Sequence, residues 1–127
     1  MNPTSPDEWF KQAEYDLATA DALINAGFAV PAAFRVHFAL EKALKGLLHA
    51  RLGIDPPRTH NLIRLLKESG CTPPEAIGML IVRASQDSID TRYFEDIEET
   101  IRHHPVEDVQ RALEQAREAI EWIRTQL

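Results

Sequence analysis

With a single cysteine, Cys71, the chain can close no internal disulfide and offers no second thiolate to a zinc ion. That excludes a small disulfide-stapled scaffold and a cysteine-rich finger, and a reducing cytoplasm is the compartment that fits. Glycine is also scarce, at five residues, and none of them builds a Gly-rich phosphate loop or a Gly-x-Ser-x-Gly nucleophile turn. A His-Glu-x-x-His metal helix is missing as well. No apolar run approaches the roughly 20 residues of a membrane span. The start, Met-Asn-Pro-Thr-Ser-Pro-Asp-Glu, lacks the basic, then apolar, pattern of a signal peptide. The expectation is a protein neither exported nor embedded. Basic residues are outnumbered, 14 Lys and Arg against 20 Asp and Glu, so a wholesale nucleic-acid coat is excluded by a net charge of -6.

What the chain does have is enough length, 127 residues, for one domain of ordinary size, and an apolar share of 44% with 27% charged, near globular averages. The charge is unevenly placed. Residues 31–67 carry seven basic and two acidic side chains, a local +5, whereas residues 1–30 stand at -4 and residues 68–127 at -7. His37, His49 and His60 fall in the same central stretch. An anionic ligand prefers that surface, unless it is merely a solvated basic helix face.

The apolar residues recur at steps of three and four. Ser5 is a helix cap, Pro6 suits a first turn, and Glu8 can close a capping box ahead of the stripe Trp9, Ala13, Leu17, Ala20 and Ile24, which predicts a helix over 6–26 stopped by Gly27. A second helix is expected from Pro31 to Gly53, the most apolar of all, with Phe38, Leu44 and Leu48 in the core. Leu62, Leu65 and Leu66 mark a short third helix ending at Gly70. Thr72-Pro73-Pro74-Glu75 repeats the capping logic before a fourth helix carrying Ile77, Leu80, Ile81 and Ala84. Residues 87–104 have no clear period and read as a loop with one helical turn at most. From Pro105 an unbroken stripe, Val109, Leu113, Ala116, Ile120 and Ile123, predicts the last helix. No segment alternates apolar and polar residues as a strand does. The fold class is therefore all-α: one domain, residues 1–127, an up-and-down bundle of four main helices plus one short helix.

Chemistry-bearing residues are few. His37 and Glu41 stand four apart on helix 2 and can face one metal ion, with His103 and His104 as distant further ligands, but a simple pairing of His37 with Glu41 is the favoured reading. Glu41 and Lys45 form a second i, i+4 pair. No metal and no cofactor is implied. Cys71 follows a helix-ending glycine with only Lys67 as a preceding basic neighbour and reads as an inert thiol.

Helix 2 continues as Ala33-Phe34-Arg35-Val36-His37-Phe38-Ala39-Leu40-Glu41-Lys42-Ala43-Leu44-Lys45. Taken with Trp9, Ala13, Asp16, Leu17 and Ala20 before it, and with His60-Asn61-Leu62 and Asp90-Thr91-Arg92-Tyr93 after it, this order resembles the HEPN family across nearly the whole chain. The resemblance implies a small helical bundle that commonly dimerises. It also implies, for prokaryotic members, a frequent pairing with a minimal nucleotidyltransferase, and for some members a ribonuclease toxin whose Arg-x4-6-His motif works across a dimer cleft. This chain departs from that motif. No arginine reaches a histidine at the required spacing: Arg92 meets Ile97, Glu98 and Glu99, and Arg102 meets Glu107, Asp108 and Val109.

The expected function is thus a non-catalytic module that binds a nucleotide or nucleotidyl group and works with a minimal nucleotidyltransferase partner, in a toxin-antitoxin type of system. The candidate binding residues are Lys42, Lys45, His60, Arg92 and Tyr93, supported by Glu41 and Asp90, because arginine holds phosphate by a fork of donors and tyrosine offers a stacking face. A structural latch, Arg92 against Glu41 with Tyr93 packed on the bundle, is the competing reading of that segment. A homodimeric ribonuclease, disfavoured by the missing motif, and a structural homodimer without ligand are the competing functions.

Overall fold

The computed structural model describes residues 2–86 and 94–127. They form six helices and, among the described residues, no strand: α1 Pro6–Asn25, α2 Ala29–Leu52, α3 Leu62–Ser69, α4 Glu75–Gln86, α5 Ile97–Arg102 and α6 Val106–Thr125. The all-α bundle expected from the periodicity is the fold observed.

Three contacts fix the helix directions. Arg51, near the end of α2, donates to the carbonyl of Gln126 just beyond α6 (2.9 Å), so α2 and α6 run parallel. Gly46, late in α2, lies against Trp9 and Phe10 at the start of α1, which sets α1 antiparallel to both. His37, early in α2, lies against the carbonyl of Ala84, late in α4 (3.2 Å), so α4 also runs against α2. Up, down, up, down is the resulting order for α1, α2, α4 and α6, with α3 a short step between α2 and α4.

The local signals act largely where the sequence places them. Ser5 Oγ accepts from the amide of Glu8 (3.2 Å) and starts α1. Asn61 Oδ1 accepts from Arg64 N (3.1 Å) and starts α3. Gly53 closes α2 at φ 67°, a left-handed conformation that costs a residue with a Cβ roughly 1–2 kcal/mol. Elsewhere the structure differs. α2 begins at Ala29, two residues before Pro31, because a proline is tolerated anywhere in the first turn, where its missing N–H has no intrahelical partner. α4 enters through Pro74, whose carbonyl accepts from Gly78 (2.9 Å), so Thr72 sits too far upstream to be its cap. The stretch read as a loop holds α5, capped by Asp96, whose Oδ1 accepts from Glu98 and Glu99 amides (3.0 and 3.3 Å).

α2 is the axis of the core. Ala32, Val36, Ala39, Leu40, Ala43, Leu44, Leu47 and Leu48 are all buried, and between them they face α1, α3, α4 and α6. Phe38, expected in that core, is only half-buried: it lies on the rim, under the guanidinium of Arg35 (6.0 Å to the ring) and edge-on to His37. α1 and α2 approach closely at one point. A Cβ on Gly46 would come 2.9 Å from the Phe10 ring and 3.0 Å from Trp9 Cβ, so only glycine lets the two helices meet there. No helix among the described residues is long and apolar enough to cross a membrane.

Candidate functional site

Two concave features flank the middle of α2, and one buried carboxylate lies between them. Glu41 is 6% exposed in a helix whose other buried residues, His37 and Lys45 apart, are apolar. Its Oε2 accepts from Lys45 Nζ (3.0 Å), one helical turn on, and its Oε1 accepts from His60 Nδ1 (2.8 Å), which arrives from the loop before α3. Since a carboxylate only accepts, Nδ1 carries the proton of His60. Two charge-assisted bonds, one of them to a full ammonium, offset much of the cost of burying this charge. His37 approaches from the other side, with Nε2 3.9 Å from Glu41 Oε1, too long for a hydrogen bond. Its Nδ1–H donates to Ala84 O, and Nε2 is left buried and unpartnered.

The pairings of Glu41 with Lys45 and of His37 beside Glu41 are therefore present as the helix spacing suggests. Among the described residues no group of three or more His, Cys, Asp and Glu side chains is placed to hold an ion.

On the outer side of Glu41, a hollow of about 360 Å³ is lined by Asn2, Lys45, Arg58, Thr59 and His60. Among the described residues no carboxylate lines it directly. Lys45 is held beneath by Glu41 and by the face of Trp9 (5.8 Å to the ring), and exposed Arg58 and His60 stand at its mouth. Of the sequence-derived residues, Glu41, Lys45 and His60 are thus brought together. Arg58 and Thr59 join them and were missed, although they lie in the same basic stretch, because a loop of Pro56-Pro57 has no period from which to read direction.

Lys42 is placed elsewhere. Three residues from Lys45, it turns to the α1 seam, where its ammonium lies 2.8 Å from Oδ2 of buried Asp16, and Arg35 donates to Oδ1 of the same carboxylate (3.3 Å). Asp90, Arg92 and Tyr93 lie outside the described residues. Phe94, which follows them, stacks on Phe34 (ring centroids 5.8 Å apart), about three helical turns of α2 from Lys45.

The second feature is a cleft of about 360 Å³ at the opposite end of α2, between α4 and the start of α6. Ala33, Val36, Leu80, Ala84, Val109 and Ala112 form its floor. Phe34 and His37 wall it on the α2 side. Its rim carries Arg83, Arg111, His103 and His104, with Asp108, among the described residues, as its one carboxylate. His104 Nδ1–H donates to Thr100 O (2.8 Å), which leaves Nε2 as an acceptor or, when protonated, a donor. No single helix shows this cleft in its sequence, since its parts come from positions more than 40 residues apart.

Comparison with known proteins agrees with the geometry of the bundle. The HEPN domain model matches residues 6–126. The crystal structure of an archaeal HEPN homologue is similar at a TM-score of 0.78 and 25% identity, covering 98% of each chain. A protein from Thermus thermophilus is similar at a TM-score of 0.80 and 24% identity over 96% of this chain and 98% of its own, a likeness of fold. No curated protein matches. A family model spanning nearly every residue, on a bundle with the same arrangement of helices, makes this chain a member of the HEPN domain family.

Proposed function

We propose that the protein is a non-catalytic HEPN module that binds the phosphates of a nucleotide, or a nucleotidyl group, and acts with a minimal nucleotidyltransferase partner in a toxin-antitoxin type of system. The observation that carries the reading is the hollow around Lys45, Arg58 and His60, a cationic surface lined by no acidic side chain among the described residues, in a protein of net charge -6. Lys45 serves as a point charge whose position is set by Glu41, Arg58 supplies the fork, and the free face of His60 together with the Thr59 hydroxyl supplies further polar contacts. Arg92 and Tyr93 retain the role of a second phosphate fork and a stacking face. In this reading the working unit is a homodimer in the cytoplasm.

Calorimetry with ATP and with a minimal nucleotidyltransferase tests it. Wild-type protein binds at least one of them, and Arg58→Ala or His60→Ala weakens that binding about tenfold with an unchanged melting temperature. Arg92→Ala weakens binding if Arg92 belongs to the site, and lowers the melting temperature instead if it is a latch. Absence of binding to both ligands by the wild type removes the proposal and leaves a structural homodimer. Structured and single-stranded RNA remain uncut, because the Arg-x4-6-His spacing is missing. Cleavage abolished by Arg102→Ala, His103→Ala or His104→Ala reverses that expectation.

A further inference from the structure

The cleft between α2, α4 and α6 differs in chemistry from the Lys45 hollow. It has a floor of small apolar side chains, whereas the hollow is lined by polar groups alone. Its charge is selected against its surroundings. Residues 68–127 hold thirteen acidic and six basic side chains, yet from the described residues of that stretch the cleft takes two arginines, Arg83 and Arg111, and one carboxylate, Asp108, which lies 3.5 Å from Arg111. It also takes three of the five histidines in the chain, His37, His103 and His104.

The volume of about 360 Å³ lies in the size range of small-molecule sites, about 300–1,000 Å³. Phe34 lines one side of the cleft, with Phe94 stacked on it from outside the cleft lining.

From this we infer a second ligand site, which takes a small organic anion with a flat apolar body: the body lies on the Ala33, Val36 and Ala112 floor against Phe34, and a carboxylate or phosphate at its end meets Arg83, Arg111 and His103. A polyphosphate without such a body gains nothing from this floor. A neutral aromatic gains nothing from this rim. The two sites share no lining residue, and His37 of the cleft and Lys45 of the hollow lie on opposite sides of Glu41.

The test uses 2-naphthyl phosphate and 2-naphthoate as probes, titrated into the full chain and followed by the NMR signals of His103, His104 and Ala112. Either anion is expected to move all three, with 2-naphthol and inorganic phosphate each binding at least fivefold more weakly. Arg83 and Arg111 are both exposed, so the double variant Arg83→Ala/Arg111→Ala keeps the fold, checked by its circular dichroism, and weakens the anion at least fivefold. Arg58→Ala and His60→Ala leave naphthyl phosphate binding unchanged, which separates this site from the nucleotide proposal. The inference is overturned if neither anion moves the three signals, if 2-naphthol binds as tightly as the anions, or if the double variant binds as the wild type does.

Discussion

The ammonium of Lys42 lies 2.8 Å from Oδ2 of Asp16, a carboxylate whose side chain is 2% exposed. A lysine that by sequence belongs with a phosphate site is instead the counter-ion of a buried acid, and it ties α2 to α1. Arg35 reaches the same carboxylate at 3.3 Å but is 45% exposed, so it replaces Lys42 only in part. Lys42→Ala should therefore cost about 1 to 3 kcal/mol in a urea denaturation, below the full cost of isolating a buried charge, and leave ATP affinity unchanged. A loss of affinity at unchanged stability would return Lys42 to the binding site.

The core prediction separates three residues that share one helix. Leu44 and Leu48 are fully buried, and truncation of either to Ala should cost about 2 to 5 kcal/mol. Phe38 is half-buried on the rim, so Phe38→Ala should cost less than either, despite removing more atoms. Denaturant midpoints for the three variants give the order directly.

At Gly46 the sign of the effect is the test. On an exposed helix surface Gly→Ala stabilises by about 1 kcal/mol through helix propensity. Here the added methyl would press on Phe10 and on Trp9 Cβ, neither of which has room to withdraw in a buried seam, and overpacking typically costs about 1 to 3 kcal/mol. Gly46→Ala should lower the melting temperature, and a raised one would mean that α1 yields easily.

Glu41 and His60 share a 2.8 Å bond but should differ in how much stability each one's loss removes. Glu41→Ala leaves Lys45, with a side chain 11% exposed, as an unpaired buried charge, for an expected loss of about 2 to 4 kcal/mol. His60 is 66% exposed, and His60→Ala should stay within about 1 kcal/mol of the wild type. Thermal melts of the two variants measure both.

Which features could be read from sequence depends on how far apart their parts lie. The Glu41–Lys45 pair needs only one turn of one helix, and the caps at Ser5 and Asn61 need three residues, so each is legible locally. The Glu41–His60 bond was within reach because both residues fall in the basic central stretch, although nothing local states their distance. The role of Lys42 was not, since it is decided by an acid 26 positions earlier on another helix. The α4–α6 cleft depends on contacts such as His37 with Ala84, 47 residues apart, and no periodicity encodes them. α5 escaped for a different reason: six residues with none buried leave no apolar stripe, and only its cap, Asp96, announces it.

The contrast between α2 and α5 sets how the molecule opens. Every amide from Ala39 to Leu48 sits in a helix that four others cover, so its proton can exchange with solvent only when the whole bundle unfolds. α5 buries no side chain and can fray alone, exchanging orders of magnitude faster at no cost to the rest. The protein thus has a slow centre and a fast margin, and the fast margin, through His103 and His104, is also one bank of the α4–α6 cleft.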